Sequence, residues 1–223
     1  DLLFSDPPYG VDLAGKNKFL NSFQKAGRNL TDIANDMLGK DELFDMLVTA
    51  FSNAKMMMND SASFYVTAPQ GGELGMMMMM MMSAGLPARH VLIWVKNSPT
   101  FSMGRLDYEY KHEPILYGWN EKHEFNGGGE FKTSVWTVDK PRSNKEHPTM
   151  KPIQLMVNAI LNSTITGAAV LDIFGGSGST LLAAEQTGRN AYLVELEPRY
   201  VQVTIDRWEK MTGKQAIKLC LLL

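Results

Sequence analysis

Residues 171–180 read LDIFGGSGST, a short apolar strand that ends in a glycine-rich turn and opens into an apolar helix. Such a turn brings backbone N–H groups and the positive end of a helix close to a ligand. A dinucleotide fingerprint would need a glycine where the chain has Leu181, and no Gly-Lys-Ser/Thr sequence closes a phosphate-binding loop. The stretch therefore predicts an α/β fold with a nucleotide-type cradle, and it argues against a dinucleotide or a triphosphate.

The next strand candidate, NAYLVELEP at 190–198, carries Glu195 near its end, with Glu197 beyond it. A carboxylate at the tip of this strand is placed to accept both hydroxyls of a ribose. Taken alone, Glu195 could be a surface acid. Together, the glycine turn, the missing phosphate-binding lysine and this acid favour a nucleoside without phosphates, and S-adenosylmethionine fits that description.

At the other end of the chain, the apolar run 1–5 is followed by DPPYG at 6–10. Two consecutive prolines donate no backbone hydrogen bonds and fix φ near −65°, so they end the strand and stiffen the loop after it. The segment could be a plain turn with Asp6 as a local acceptor. The alternative is a rigid device that presents an acceptor group, Asp6, and a stacking ring, Tyr9.

Short β-rich runs alternate with longer amphipathic segments along the whole chain, which predicts a layered α/β sheet. The strand candidates are Leu2–Ser5, Ser63–Ala68, His90–Val95, Pro114–Tyr117, Ala169–Phe174 and Ala191–Glu195. The helix candidates are Lys40–Met57, Leu74–Ala84, Pro152–Asn162, Ser179–Gln186 and Pro198–Met211. No helix separates His90–Val95 from Glu113–Tyr117, so we expect an antiparallel, hairpin-like pair at the sheet edge.

The composition is that of an ordinary globular domain, since 44% of the 223 residues are apolar and 21% are charged. A formal net charge of −2 means that any basic footprint for nucleic acid must be local. The single cysteine, Cys220, excludes an intrachain disulfide and a multi-cysteine metal site, and we expect no metal. The chain starts inside a strand-like run, which suggests a domain cut from a longer protein. The longest apolar run, Met76–Met82, is too short to cross a bilayer, so no membrane association is expected.

Two long polar stretches, Gly10–Asn35 and Asn120–Pro148, show no clear periodicity. We interpret the first as a functional lid or a partly disordered loop, and the second as a solvated surface loop or a short irregular insertion that forms a recognition loop. Their basic residues are Lys16, Lys18, Lys25 and Arg28 in the first, and Lys132, Lys140, Arg142 and Lys145 in the second. The methionine runs, Met56–Met58 and Met76–Met82, predict helices with an adaptable core face.

Six segments, in chain order, resemble the motifs of amino-group DNA methyltransferases, which methylate adenine N6 or cytosine N4: DPPY, IWVKN, HEPILYGW, HPTMKP, DIFGGSGST and GRNAYLVELEPRY. Because DPPY precedes the glycine-rich motif, the chain looks like the circularly permuted β class, closest to DNA modification methylases often fused behind a ParB-like domain. The resemblance implies one domain, 1–223, with a doubly wound, mostly parallel seven-stranded α/β sheet and an antiparallel edge hairpin. The chain departs from the family at Ile173, where proline is common, and in the short stretch 120–148, where larger members carry a target-recognition region.

The resemblance also implies how DPPY acts on the amine of a base, which is a poor nucleophile because its lone pair is delocalised. The Asp6 carboxylate and the Pro7 carbonyl would accept the two N–H bonds, and the rigid pair Pro7-Pro8 would keep these acceptors in place. Tyr9 would stack on a base turned out of the duplex. The methyl group would pass directly to nitrogen, without a covalent enzyme intermediate or a metal.

For the cofactor, S-adenosylmethionine, the resemblance places Phe174–Gly178 along the methionine side, Asp172 at the ammonium group and Glu195 at the ribose. The HPTMKP segment also borders the cofactor in the family, although HPT alone would be a helix start with Thr149 as the N-cap. The full expected set is Asp172, Phe174, Gly175, Gly176, Ser177, Gly178, Ser179, Thr180, Glu195, His147, Thr149 and Lys151. The pair His112-Glu113 is interpreted as structural and stays outside this set.

The expected partner is double-stranded DNA, with the target most simply adenine N6. The expected DNA contacts are Lys16, Lys18, Arg28, Lys140, Arg142 and Lys145. Cytosine-N4 methylation, methylation of RNA or a glutamine amide, and a catalytically inactive DNA-binding module are the alternatives. A cytoplasmic protein of bacterial or phage origin is expected, and the sequence leaves monomer and homodimer open.

Overall fold

The structure, a computed structural model, describes residues 1–10, 39–99, 107–140 and 150–219. The strands are β1 (Leu2–Ser5), β2 (Ser63–Thr67), β3 (His90–Val95), β4 (His112–Trp119), β5 (Val135–Thr137), β6 (Ala169–Asp172) and β7 (Asn190–Leu193). They form one seven-stranded sheet in the order β5-β3-β4-β2-β1-β6-β7. β4 is antiparallel to both of its neighbours, whereas the other pairs are parallel. The predicted mostly parallel α/β sheet is confirmed.

The described helices are α1 (Lys40–Met57), α2 (Gly72–Ser83), α3 (Ile153–Ser163), α4 (Ser179–Thr187) and α5 (Pro198–Thr212), and the first four contribute residues to the core on the two faces of the sheet. In β1, Leu2 and Phe4 belong to the core cluster that includes α3 and α4 residues, whereas Leu3 belongs to the cluster that includes α1 and α2 residues. A strand buried on both faces has no polar alternation, and this explains the continuous apolar run. The doubly wound arrangement is therefore confirmed. None of the described helices has the length and apolar character needed to cross a membrane.

The antiparallel pair β3–β4 is confirmed, but its predicted place at the sheet edge is wrong. β5 pairs with β3 on the outer side, in parallel, and so forms the edge. Only three residues form this strand, and Trp136 is the one among them that is buried. Its ring lies 5.9 Å from that of Tyr65 in the core.

The stretch predicted to be irregular between 120 and 148 is tied to α3 where the structure describes it. The amide of Gly129 donates to Asn162 Oδ1 at 3.0 Å, and the amide of Phe131 donates to Asn158 Oδ1 at 2.9 Å. A side chain at Gly129 would lie within 2.5 Å of Asn158. Residues 127–131 are thus docked on a helix, and the interpretation as a merely solvated loop is wrong for them.

The second methionine run forms α2, as predicted. Met77, Met80 and Met81 are buried, whereas Met79 and Met82 are exposed. The helix ends in a left-handed turn at Gly85, with the Leu86 amide donating to the Met81 carbonyl at 2.9 Å.

Candidate active site at the carboxyl ends of β1, β2 and β6

The two motifs lie side by side because β1 and β6 are neighbouring parallel strands, with Leu2 opposite Val170 and Leu3 opposite Leu171. The carboxyl ends of parallel strands meet at one edge of a sheet, so DPPY and the glycine turn emerge together. The Ser5 hydroxyl joins them directly, since it donates to Asp172 Oδ1 at 3.1 Å. The two segments that the sequence predicts to line one cleft are thus joined through Ser5 and Asp172.

Asp6, at the end of β1, is surrounded by donors. Its Oδ1 accepts hydrogen bonds from the Thr67 hydroxyl at the end of β2 and from the Tyr9 hydroxyl at 3.2 Å, and it lies 3.0 Å from the Lys151 ammonium. Burial raises the pKa of Tyr9 well above its ordinary value, so this phenol remains a donor. The Asp6 side chain nevertheless exposes a quarter of its surface and can meet a ligand.

Lys151 belongs to the Asp6 side of the cleft, where its ammonium also lies 2.9 Å from Glu113 Oε2. The other oxygen of Glu113 lies 2.5 Å from the Lys96 ammonium. Burial alone would raise the pKa of Glu113, but the two ammonium groups lower it to about 2. Burial alone would lower the pKa of Lys151, but Asp6 and Glu113 raise it well above its ordinary value. Glu113 is therefore a carboxylate and Lys151 an ammonium group at neutral pH.

The glycine turn is compact because Gly176 and Gly178 adopt positive φ, which side chains disfavour. At Gly178, a Cβ atom would also lie 2.5 Å from the Thr204 side chain of α5. Glu195 closes the turn: its Oε2 accepts from the Gly176 amide at 2.7 Å, and its Oε1 accepts from the Glu197 amide at 2.8 Å. The predicted ribose-binding acid thus lies at the glycine turn.

Asp172 is buried at the base of the turn and accepts three hydrogen bonds. Besides Ser5, the donors are the Thr180 hydroxyl at 2.6 Å and the Phe174 amide at 3.1 Å. Burial is the main cause that raises the pKa of Asp172 to about 6, and the three hydrogen bonds oppose it. The carboxylate fixes the turn from inside.

The structure describes some of the remaining predicted cofactor residues, whereas the others lie outside the described residues. Ser177, Ser179 and Thr180 are buried, and the Ser179 hydroxyl donates to the Lys151 carbonyl at 3.1 Å. The Phe174 ring lies 6.1 Å from the ring of Phe51.

Of the basic residues in the second polar stretch, Lys132 and Lys140 are exposed. The other predicted cofactor and DNA-contact residues lie outside the described residues, namely Lys16, Lys18, Arg28, Arg142, Lys145, His147 and Thr149.

Sequence reasoning missed Thr67 and Lys96 and left Glu113 outside the site. A signal was present, because Lys96 and Glu113 flank apolar strand runs in which a charge is costly. The antiparallel register supplies the missing information: Val95 pairs with His112, which brings the two charged side chains to the same end of the hairpin.

Comparison with known proteins agrees with this geometry. The chain is 22% identical to Type II methyltransferase M2.MboI of Moraxella bovis, over 95% of this chain and 81% of the relative. It is 23% identical to Type II methyltransferase M2.LlaDCHI of Lactococcus lactis subsp. cremoris, over 94% and 82% of the two chains.

Among solved structures, the M1.HpyAVI–SAM complex matches with a TM-score of 0.65 and 21% identity, over 93% of this chain and 88% of that one. The cytosine-N4-specific PvuII DNA methyltransferase matches with a TM-score of 0.68 and 18% identity, over 96% and 83%. These matches confirm the methyltransferase fold. The model of the family described as DNA methylase (N6_N4_Mtase) matches residues 1–206, and the chain therefore belongs to this family.

Proposed function

We propose that the protein transfers a methyl group from S-adenosylmethionine to the exocyclic amine of a base in double-stranded DNA, most simply adenine N6. The observation that carries the proposal is the juxtaposition of DPPY and the glycine turn, joined through Ser5 and Asp172. This arrangement puts an acceptor for an amine beside a cradle for a nucleoside.

The charged side chains of the described site fit S-adenosylmethionine. Carboxylates dominate the described site, with Asp6, Asp172 and Glu195 around the cleft, and such a set suits a ligand that carries hydroxyls and positive charge rather than phosphates. When bound, S-adenosylmethionine supplies an electrophilic methyl group. Glu195 keeps lone pairs for ribose hydroxyls, since each oxygen accepts one described backbone hydrogen bond. Asp172 contributes negative charge and fixes the turn, and its Oδ2, which accepts one described hydrogen bond, keeps a lone pair for the ammonium group of the cofactor.

The chemistry at the amine follows from the acceptors of the first loop. Asp6 and the Pro7 carbonyl accept the amine N–H bonds and so direct its lone pair away from the ring. The two prolines remove the freedom that these acceptors would otherwise lose on binding. Tyr9, whose hydroxyl is tied to Asp6, offers its ring to the base. The proton released on methylation leaves the nitrogen through this acceptor pair toward solvent.

Adenine is proposed over cytosine because DPPY begins with aspartate, whereas the cytosine-N4 enzymes that the chain resembles more often carry serine there. The DNA contacts, the similarity to methylases fused to a ParB-like domain, a cytoplasmic location in bacteria and the single-domain organisation of residues 1–223 remain predictions. Methylation of RNA or a glutamine amide is less favoured, because those families usually place the glycine motif first.

Mass spectrometry of nucleosides tests the proposal. Double-stranded DNA of mixed sequence is incubated with the protein and methyl-labelled S-adenosylmethionine, and then digested. Labelled N6-methyladenosine in its deoxy form is the expected product. Labelled N4-methyldeoxycytidine would instead identify cytosine as the target base. No labelled nucleoside from DNA would refute the function and revive the inactive DNA-binding module.

A further inference from the structure

The two oxygens of the Asp6 carboxylate have different surroundings. Oδ1 accepts from Thr67 and Tyr9 and lies 3.0 Å from the Lys151 ammonium. Oδ2 receives no hydrogen bond from any residue that the structure describes. Among the described residues, the contacts of Asp6 thus fall on one oxygen and leave the lone pairs of the other available to a ligand.

A chain of alternating charges holds Lys151 in turn. Glu113 lies between Lys151 and Lys96, at 2.9 Å and 2.5 Å. The side chains of Lys96, Lys151 and Glu113 expose 2%, 10% and 15% of their surface. Ion pairs buried this deeply are often no more stabilising than apolar residues of similar volume. Stability alone therefore does not explain why two lysines and a second carboxylate lie behind Asp6.

We propose that Lys151 is a positioning residue for methyl transfer and that Glu113, fixed by Lys96, orients Lys151. The inference rests on the proposed function. Lys151 binds Oδ1, and this turns Oδ2 toward the amine so that Asp6 and the Pro7 carbonyl accept one N–H bond each. Lys151 acts through Asp6 and does not touch the substrate.

The charge balance gives Glu113 a second role. Asp6, Lys151, Glu113 and Lys96 carry two negative and two positive charges, so the cluster is neutral as a whole. An uncompensated lysine beside the cleft would repel a cationic cofactor. Glu113 therefore allows Lys151 to hold Asp6 without weakening the binding of S-adenosylmethionine.

Variants at these positions separate the two roles. Lys151→Met should lower the single-turnover rate by about 100-fold, the scale of a misplaced reacting group, without raising the cofactor Kd. Lys151→Arg keeps the charge and the donors and should recover much of this rate. Glu113→Gln leaves one excess positive charge and should raise the cofactor Kd severalfold. Adding Lys96→Met to Glu113→Gln restores neutrality and should bring that Kd back toward the wild-type value.

The measurements are single-turnover transfer, calorimetric titration of S-adenosylmethionine and thermal unfolding. Lys122→Met is the matched control, because Lys122 forms an exposed ion pair with Asp60 away from the cleft. A wild-type rate in Lys151→Met, no recovery in Lys151→Arg, or an unchanged cofactor Kd in Glu113→Gln would overturn the inference.

A double-mutant cycle of Asp6→Asn and Lys151→Met provides a readout that does not need activity. Coupled residues should shift the unfolding temperature non-additively. Additive shifts would overturn the inference even if the variants are less stable than the wild type or the wild type proves inactive. Failure of the wild type to methylate DNA, with coupling intact, would instead refute the proposed function while leaving the Asp6–Lys151 arrangement supported.

Discussion

The difference in unfolding free energy between Asp172→Asn and the wild type should shift in favour of the variant as the pH rises from acidic to alkaline values. The buried carboxylate has its pKa raised from 3.8 to about 6, mainly by burial. For an acid with a raised pKa in the folded state, the stabilising contribution is present below the unfolded-state pKa and is lost as pH rises through the folded-state pKa. Asparagine does not titrate, and its oxygen can still accept from Ser5 and the Phe174 amide. The variant therefore avoids a penalty that the wild type carries above pH 6.

The magnitude follows from the shift. A pKa change from 3.8 to about 6 corresponds to a full penalty of about 3 kcal/mol. Between about pH 5 and about pH 8, the wild type should lose on the order of 1 kcal/mol relative to the variant, because part of the penalty is already present at the lower pH. Other groups titrate in both proteins and cancel in the difference.

Urea unfolding of both proteins at these two pH values measures the effect. Asp206→Asn serves as the control. This carboxylate on α5 is exposed, and its described hydrogen bond is donated by Gln202. An Asp172→Asn minus wild-type difference that is equal at the two pH values would refute the reasoning, since it would mean that Asp172 does not titrate near 6.

Four further changes test individual residues. Asp6→Ala should abolish methyl transfer in a labelled-cofactor assay while the calorimetric cofactor Kd changes little, and retained activity would contradict the assignment. Glu195→Ala should weaken S-adenosylmethionine by about 1.5–3 kcal/mol in the same titration, the scale of hydrogen bonds to a charged group; an unchanged Kd would exclude the ribose contact. Gly178→Ala should lower the urea-unfolding free energy by about 2 kcal/mol, because of its positive φ and the close Thr204 side chain. Lys140→Ala should reduce the slope of log DNA affinity against log salt by about 0.9 if this lysine contacts a phosphate, and an equal slope would place it off the DNA.

The α/β class and the pairing of the two motifs could be predicted because both depend on local patterns. A strand that ends in DPPY, and another that ends in a glycine turn, place their functional groups at the same edge of any parallel sheet. β5 could not be predicted, since three residues with one buried tryptophan give no usable periodicity. The Lys96–Glu113–Lys151 chain was missed for a different reason: its members come from three separate segments, and only the β3–β4 register and the start of α3 bring them together.

The methionine helix α2 has a consequence for how its position on the sheet is specified. Along Met76–Met82, rotating the helix by one residue replaces each packed side chain by an identical one, so the core contacts of this run barely distinguish one rotational setting from the next. The setting must come from the ends: Leu74 packs against the core at the start, and buried Leu86 follows the turn at Gly85. Substituting these two anchors should therefore produce slow exchange between helix orientations before it produces unfolding. The methyl NMR resonances of the methionines would report that exchange directly.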